Sequence, residues 1–157
     1  MSYALQDLKV ISLGTSVSAP LCARYLADLG ADVIKVERPS SGDFARGWDE
    51  VLPGMSSAHL WCNPNKRSIV LNLKAKQGRQ ILGQLVENAD VFIENFSPGV
   101  VDDLGIGYHW AKSINSEILY CHISGYGQDG PYRDMKALDM LIQGEAGAIS
   151  VNGCLLY

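Results

Sequence analysis

Residues 8–38, LKVISLGTSVSAPLCARYLADLGADVIKVER, decide the fold. Val10-Ile11-Ser12-Leu13 is a short apolar run of the kind that forms a buried strand. Gly14, Thr15, Ser16 and Ser18 are small, as a tight turn into a helix requires. Pro20 has its φ preset for the first helical turn and no N–H to leave unpaired there. Leu21, Tyr25, Leu26 and Leu29 recur at helical spacing and predict the buried face. Gly30 supplies a left-handed cap. Val33-Ile34-Lys35-Val36 then reads as a second strand that finishes on Glu37 and Arg38. Strand, turn, helix and strand within roughly thirty residues make a βαβ unit with parallel strands. Ligands on such sheets bind outside the carboxyl ends of the strands. That edge carries Gly14 to Ser18 on one side and Glu37-Arg38 on the other.

The chain has 157 residues, enough for one domain with a core. Its net charge of −4 argues against a nucleic-acid partner. No apolar run approaches a membrane span, so no membrane partner is expected. The start, MSYALQDLKV, resembles neither a signal peptide nor a transit peptide, and a cytoplasmic location is the expectation. Cys22, Cys62, Cys121 and Cys154 form no C-x-x-C pair. The first three read as small reduced core residues, and His59, His109 and His122 do not complete a metal-ligand set with them.

Onward from Arg38, residues 39–67 read as a long loop punctuated by Pro39, Pro53-Gly54 and Asn63-Pro64-Asn65. Trp48 and Trp61 are expected to cover the core edge there, with a ligand pocket as the alternative. Residues 68–73 (SIVLNL) form a third strand with Lys74 at its end. A helix over 77–86 presents Ile81, Leu82 and Leu85 on one face. Residues 90–94 (DVFIE) form a fourth strand and 118–123 (ILYCHI) a fifth, with helices at 100–104 and 108–114 between them. A glycine-rich loop follows, and residues 138–146 start a helix. The alternation predicts an α/β fold with a mainly parallel sheet. The chain closes on an apolar tail, Cys154-Leu155-Leu156-Tyr157, which sets the expectation that it is truncated from something longer.

Four strand ends present small or polar groups along one crevice: Thr15 to Ser18, Arg38, Lys74 and Asn95-Phe96. Arg38 and Lys74, helped by Lys66 and Arg67, suit phosphates, as do the N–H groups of the helix start near Ser18. Phe96 suits a nucleobase. Taken singly, each basic residue reads as a solvated surface charge; the argument rests on their shared position. An NAD-linked oxidoreductase domain is the competing reading, since Glu37 stands where a ribose-binding acid would. The turn Gly14-Thr15-Ser16-Val17-Ser18-Ala19 lacks two of the three glycines of that fingerprint, however. No G-x-x-x-x-G-K-[ST] occurs, which excludes a P-loop.

The series GADVIKVE at 30–37, Gly42-Asp43, Asn65-Lys66-Arg67-Ser68, Glu94-Asn95-Phe96 and GYGQDGP at 125–131 resembles the class III CoA-transferases. That family includes formyl-CoA and carnitine-CoA transferases and the α-methylacyl-CoA racemases. The resemblance runs from about Leu8 to Gly153 and implies a Rossmann-like fold with flanking helices, in which residues 1–157 are an incomplete N-terminal CoA-binding domain. It implies coenzyme A or an acyl-CoA as substrate, with no permanently bound cofactor. The contacts it implies are Val17 and Ser18, Arg38, Leu71, Asn72, Leu73 and Lys74, and Asn95, Phe96 and Ser97. It further implies a carboxylic acid acceptor, an interlocked homodimer when full length, and an aspartate nucleophile that becomes an aspartyl-CoA thioester. That aspartate is expected beyond Tyr157, so no catalytic residue is assigned here, Asp139 included, and the chain alone is expected to be inactive. The preceding residue, Leu138, stands where racemases have a histidine. Two further departures are Asp103, where family members often have arginine, and Ser124, where formyl-CoA transferases have lysine. A stand-alone CoA-binding module without catalysis is the alternative.

Overall fold

The computed structural model describes residues 2–53 and 55–152, and the chain divides into two units, Met1–Ile123 and Ser124–Tyr157. Gly54 and the apolar tail at 154–157 lie outside the described residues. The first unit is built on five strands: β1 (Lys9–Ser12), β2 (Asp32–Glu37), β3 (Lys66–Val70), β4 (Val91–Glu94) and β5 (Leu119–His122). Their order is β3-β2-β1-β4-β5 and every pairing is parallel, so the fold is of the α/β class. The chain winds outward from β1 to β3, then returns to the other side of β1. The order therefore reverses between β1 and β4, which opens a crevice at their carboxyl ends.

The helices cover both faces. Helix α1 (Ser18–Asp28) lies over Val10, Val33, Val91 and Ile93. Helices α3 (Lys76–Glu87), α4 (Val100–Asp103) and α5 (Tyr108–Ile114) bury residues against Ile11, Leu13 and Phe92, the alternate positions of the same strands. Burial on both faces explains why the central strands read as continuous apolar runs.

Four expectations are corrected. The third strand, expected at 68–73, is Lys66–Val70: its partner β2 ends at Glu37, opposite Val70, so Asn72 to Lys74 lie in the turn beyond it. The buried stripe of α1 is Ala19, Ala23 and Ala27, while Tyr25 is 59% and Leu29 51% exposed. Small residues at i, i+4 and i+8 let the helix lie close to the sheet, and the larger side chains point away from it. On α3, Gly78, Leu82 and Val86 are buried and Ile81 faces outward. Residues 39–67 are not one loop. They hold a 3-10 turn at Phe44–Gly47 and a helix, α2 (Ser57–Cys62). Ser56 caps α2 by accepting from the Ala58 N–H, and Asp49 in turn accepts from the Ser57 N–H and Oγ. Trp48 and Trp61 are both about half exposed, and Trp48 tilts against Phe44 at 5.6 Å.

In the second unit, α6 (Asp139–Glu145) packs with α7 (Ala148–Val151), and no described residue there is buried. Among the described residues, no helix is long and apolar enough to cross a membrane, and no group of acidic, histidine and cysteine side chains is placed to hold a metal. Cys22, Cys62 and Cys121 are free thiols.

Candidate functional site

A cleft of about 690 Å³ opens at the carboxyl ends of β1, β2 and β3. Leu13, Val36, Leu71, Leu73, Phe96 and Leu104 make it largely apolar. Two glycines permit its shape. A Cβ on Gly14 would collide with the Ala19 methyl, so only glycine lets the turn after β1 fold back onto α1. A Cβ on Gly78 would strike the Asn72 carbonyl, so glycine also lets α3 start directly against the turn that carries residues 71–74.

The switch point is closed by Asn95. Its Oδ1 accepts from the Thr15 N–H at 2.9 Å, and its Nδ2 donates to the Thr15 carbonyl at 2.9 Å and to Ser18 Oγ at 2.8 Å. The amide thus continues the hydrogen bonding between β1 and β4 by one more step.

Beneath the β2 end lies an ionic network. Lys35 is buried, and its ammonium donates to the Gly14 carbonyl at 2.7 Å and to Asp43 Oδ2 at 2.8 Å. The other Asp43 oxygen accepts from the N–H groups of Ser16 and Ala45. Burial pushes the Asp43 carboxyl up, but the Lys35 bond, these N–H donors and the Lys35 charge together hold it below the usual carboxylate range. Glu37 is gripped by Arg46 through both oxygens, at 2.7 and 2.8 Å, and also accepts from the Asp43 N–H and from Ser68 Oγ. Burial raises its carboxyl, yet the Arg46 and Asp43 hydrogen bonds and the nearby cations outweigh that and lower it to about 2.

Of the residues singled out from sequence, Arg38, Leu71, Asn72, Leu73, Lys74 and Phe96 line this cleft. Val17, Ser18, Asn95 and Ser97 are not among its lining residues: Val17 is the N-cap of α1, and Ser18 and Asn95 bond to each other. Lys66 and Arg67 do not serve the crevice. They begin β3, at the opposite edge of the sheet, where Lys66 donates to the carbonyls of Pro20 and Cys62 and Arg67 pairs with Asp32. Burial lowers the Lys66 ammonium to about 7.

Once Lys35 is matched by Asp43 and Glu37 by Arg46, two cations are left at the cleft. Arg38 spends one N–H on the Gly42 carbonyl, and the Lys74 ammonium has no partner among the described residues. Asp103 lines the cleft as well and, among the described residues there, is the one acid without a cationic partner. Chemically the cleft offers an apolar floor, an aromatic ring and two available cations, groups of the kind that can bind an anion carrying an apolar part. The sequence marks Gly42-Asp43 as a motif but carries no signal for the supporting pairs. Lys35 and Asp43 stand eight residues apart, and only the fold of the turn brings them together.

Comparison with known proteins gives a consistent picture. Residues 5–154 match the family described as CoA-transferase family III. A formyl-CoA:oxalate CoA-transferase of Streptomyces avermitilis is 42% identical over 98% of this chain and 37% of its own length. An acyl-CoA transferase of Fusarium pseudograminearum is 40% identical over 96% of this chain and 35% of its own. Among solved structures, a CAIB/BAIF family protein of Brucella suis superposes with a TM-score of 0.89 at 39% identity, covering 94% of this chain and 40% of that one. The chain thus spans little more than a third of the length of the curated relatives it matches.

Proposed function

Because this chain belongs to CoA-transferase family III, we propose that its cleft holds the coenzyme A part of an acyl-CoA. The observation that carries this reading is the pair of available cations, Arg38 and Lys74, set over an apolar floor beside Phe96. Coenzyme A matches each feature. Its diphosphate suits the cations, its adenine suits the Phe96 ring, and its pantetheine arm suits the apolar wall.

In the full-length protein the reaction would move CoA between carboxylic acids. An aspartate carboxylate displaces the CoA thiolate from the acyl-CoA to give a mixed anhydride. The thiolate then attacks the aspartyl carbonyl, releasing the first acid and leaving an aspartyl-CoA thioester, from which an acceptor carboxylate takes over in the reverse sequence. Residues 1–157 contribute the CoA-binding part of that reaction, and the full-length protein works as a homodimer.

Calorimetric titration of the 157-residue protein tests the site. CoA binds; Arg38→Ala and Lys74→Ala each weaken it by about 1–3 kcal/mol, the value of a charged hydrogen bond. Micromolar binding of NAD with no response to CoA would reject the assignment in favour of a dinucleotide site.

A further inference from the structure

The carboxyl end of β4 carries a further buried carboxylate that the cleft chemistry does not use. Glu94 is fully buried. Its Oε1 receives the Tyr120 hydroxyl at 3.2 Å and Nδ1 of His122, and its Oε2 receives the Phe96 N–H at 2.9 Å. The register of the sheet makes this possible. Glu94 stands opposite His122 and Phe92 opposite Tyr120, so alternate residues of both strands share the α5 face. With Glu94 Oε1 as the acceptor, the tautomer of His122 that makes this contact carries its hydrogen on Nδ1.

A buried carboxylate is costly unless it is fully partnered, and an apolar residue would pack the same space without that cost. What Glu94 provides instead is direction. Strand β5 fixes one oxygen, and the other then fixes the N–H two residues on, at Phe96. The ring of Phe96 lines the cleft, while the intervening Asn95 turns its amide the other way, onto Thr15.

We propose that His122 and Tyr120 act through Glu94 as positioning residues that set the Phe96 ring on the wall of the cleft, and so control its hold on the adenine-bearing part of the ligand. The affinity aspect rests on the reading of the cleft as a CoA site; the positioning of Phe96 does not.

Two measurements on the 157-residue protein keep those apart. The first is hydrogen exchange at the Phe96 amide, which needs no ligand. It is slow in the wild type, at least about tenfold faster in His122→Leu, and slow again in His122→Asn, whose side-chain N–H replaces the Nδ1 donor. The second is titration with CoA and with adenosine 3′,5′-bisphosphate. Both weaken about tenfold in His122→Leu and recover to within about threefold in His122→Asn. Tyr120→Phe removes a single donor without opening a cavity and raises Phe96 exchange by a smaller factor, which keeps the test available should His122→Leu fail to fold. Unchanged Phe96 exchange in every variant that folds overturns the proposal. So does CoA affinity that stays at the wild-type value while that exchange accelerates. A wild type that binds neither ligand overturns the CoA reading and the affinity role together, and the exchange data then decide the positioning of Phe96 by themselves.

Discussion

Two strands of this sheet end in a buried glutamate, and the two are held in opposite ways. Glu37 closes β2 against a guanidinium, with Arg46 bonding both of its oxygens and Lys35 and Asp43 close behind. Glu94 closes β4 against a phenol and an imidazole from the neighbouring strand. The difference teaches what each end does. The β2 end is an ion-paired lattice that fastens three turns to one another, those after β1, after β2 and at Phe44–Gly47. The β4 end has a single output, the Phe96 N–H.

The largest expected effect breaks the charged lattice. Lys35→Met leaves Asp43 buried without its cation, at a cost of about 3–5 kcal/mol in urea unfolding. A loss below about 1 kcal/mol would mean that the N–H donors to Asp43 suffice, and that the two strand ends differ less than their partners suggest. The next effect is read against pH. Glu37 is lowered from 4.5 to about 2 in the fold, so it binds fewer protons there than in the unfolded chain. Its contribution is complete above about pH 4.5 and disappears as the pH falls toward 2. Arg46→Gln should flatten that acid limb of the stability curve and leave the neutral-pH slope as it was; an unaltered acid limb would place the source in another carboxylate. The smallest effect serves as a control. Arg67 and Asp32 pair in the open, at 65% and 45% exposure, and Arg67→Ala should change stability by less than about 1 kcal/mol.

Much of this was legible in the sequence, for identifiable reasons. Apolar runs located all five strands, the third with bounds displaced by two to three residues, and the helix over 108–114 has its expected ends because Asn115 stops it. Helix α1 was located but turned the wrong way. Hydrophobic periodicity looks for large side chains, whereas the spacing of a helix laid on a parallel sheet is set by small ones such as Ala23. Helix α2 was missed because its six residues show no apolar stripe, and its one signal, Ser56, lay amid other turn residues. In the site, strand ends led to Arg38 and Phe96, since the position of a strand end is a local property; Lys74 lines the cleft from the turn beyond Val70 rather than from the strand end expected for it. The Glu94–His122 contact is not local. It spans 28 residues and exists only in the register of β4 with β5.

The alanine stripe of α1 has a consequence for how this chain can vary. At Ala19, Ala23 and Ala27 the sheet lies directly beneath the methyl groups, so volume rather than polarity is what is filtered there. Serine at Ala23 should pass where valine does not, the reverse of the order that hydrophobicity would set. In a saturation library these three positions would stand out as depleted of every large residue, polar and apolar alike, and so mark the inner face of the helix without any coordinates.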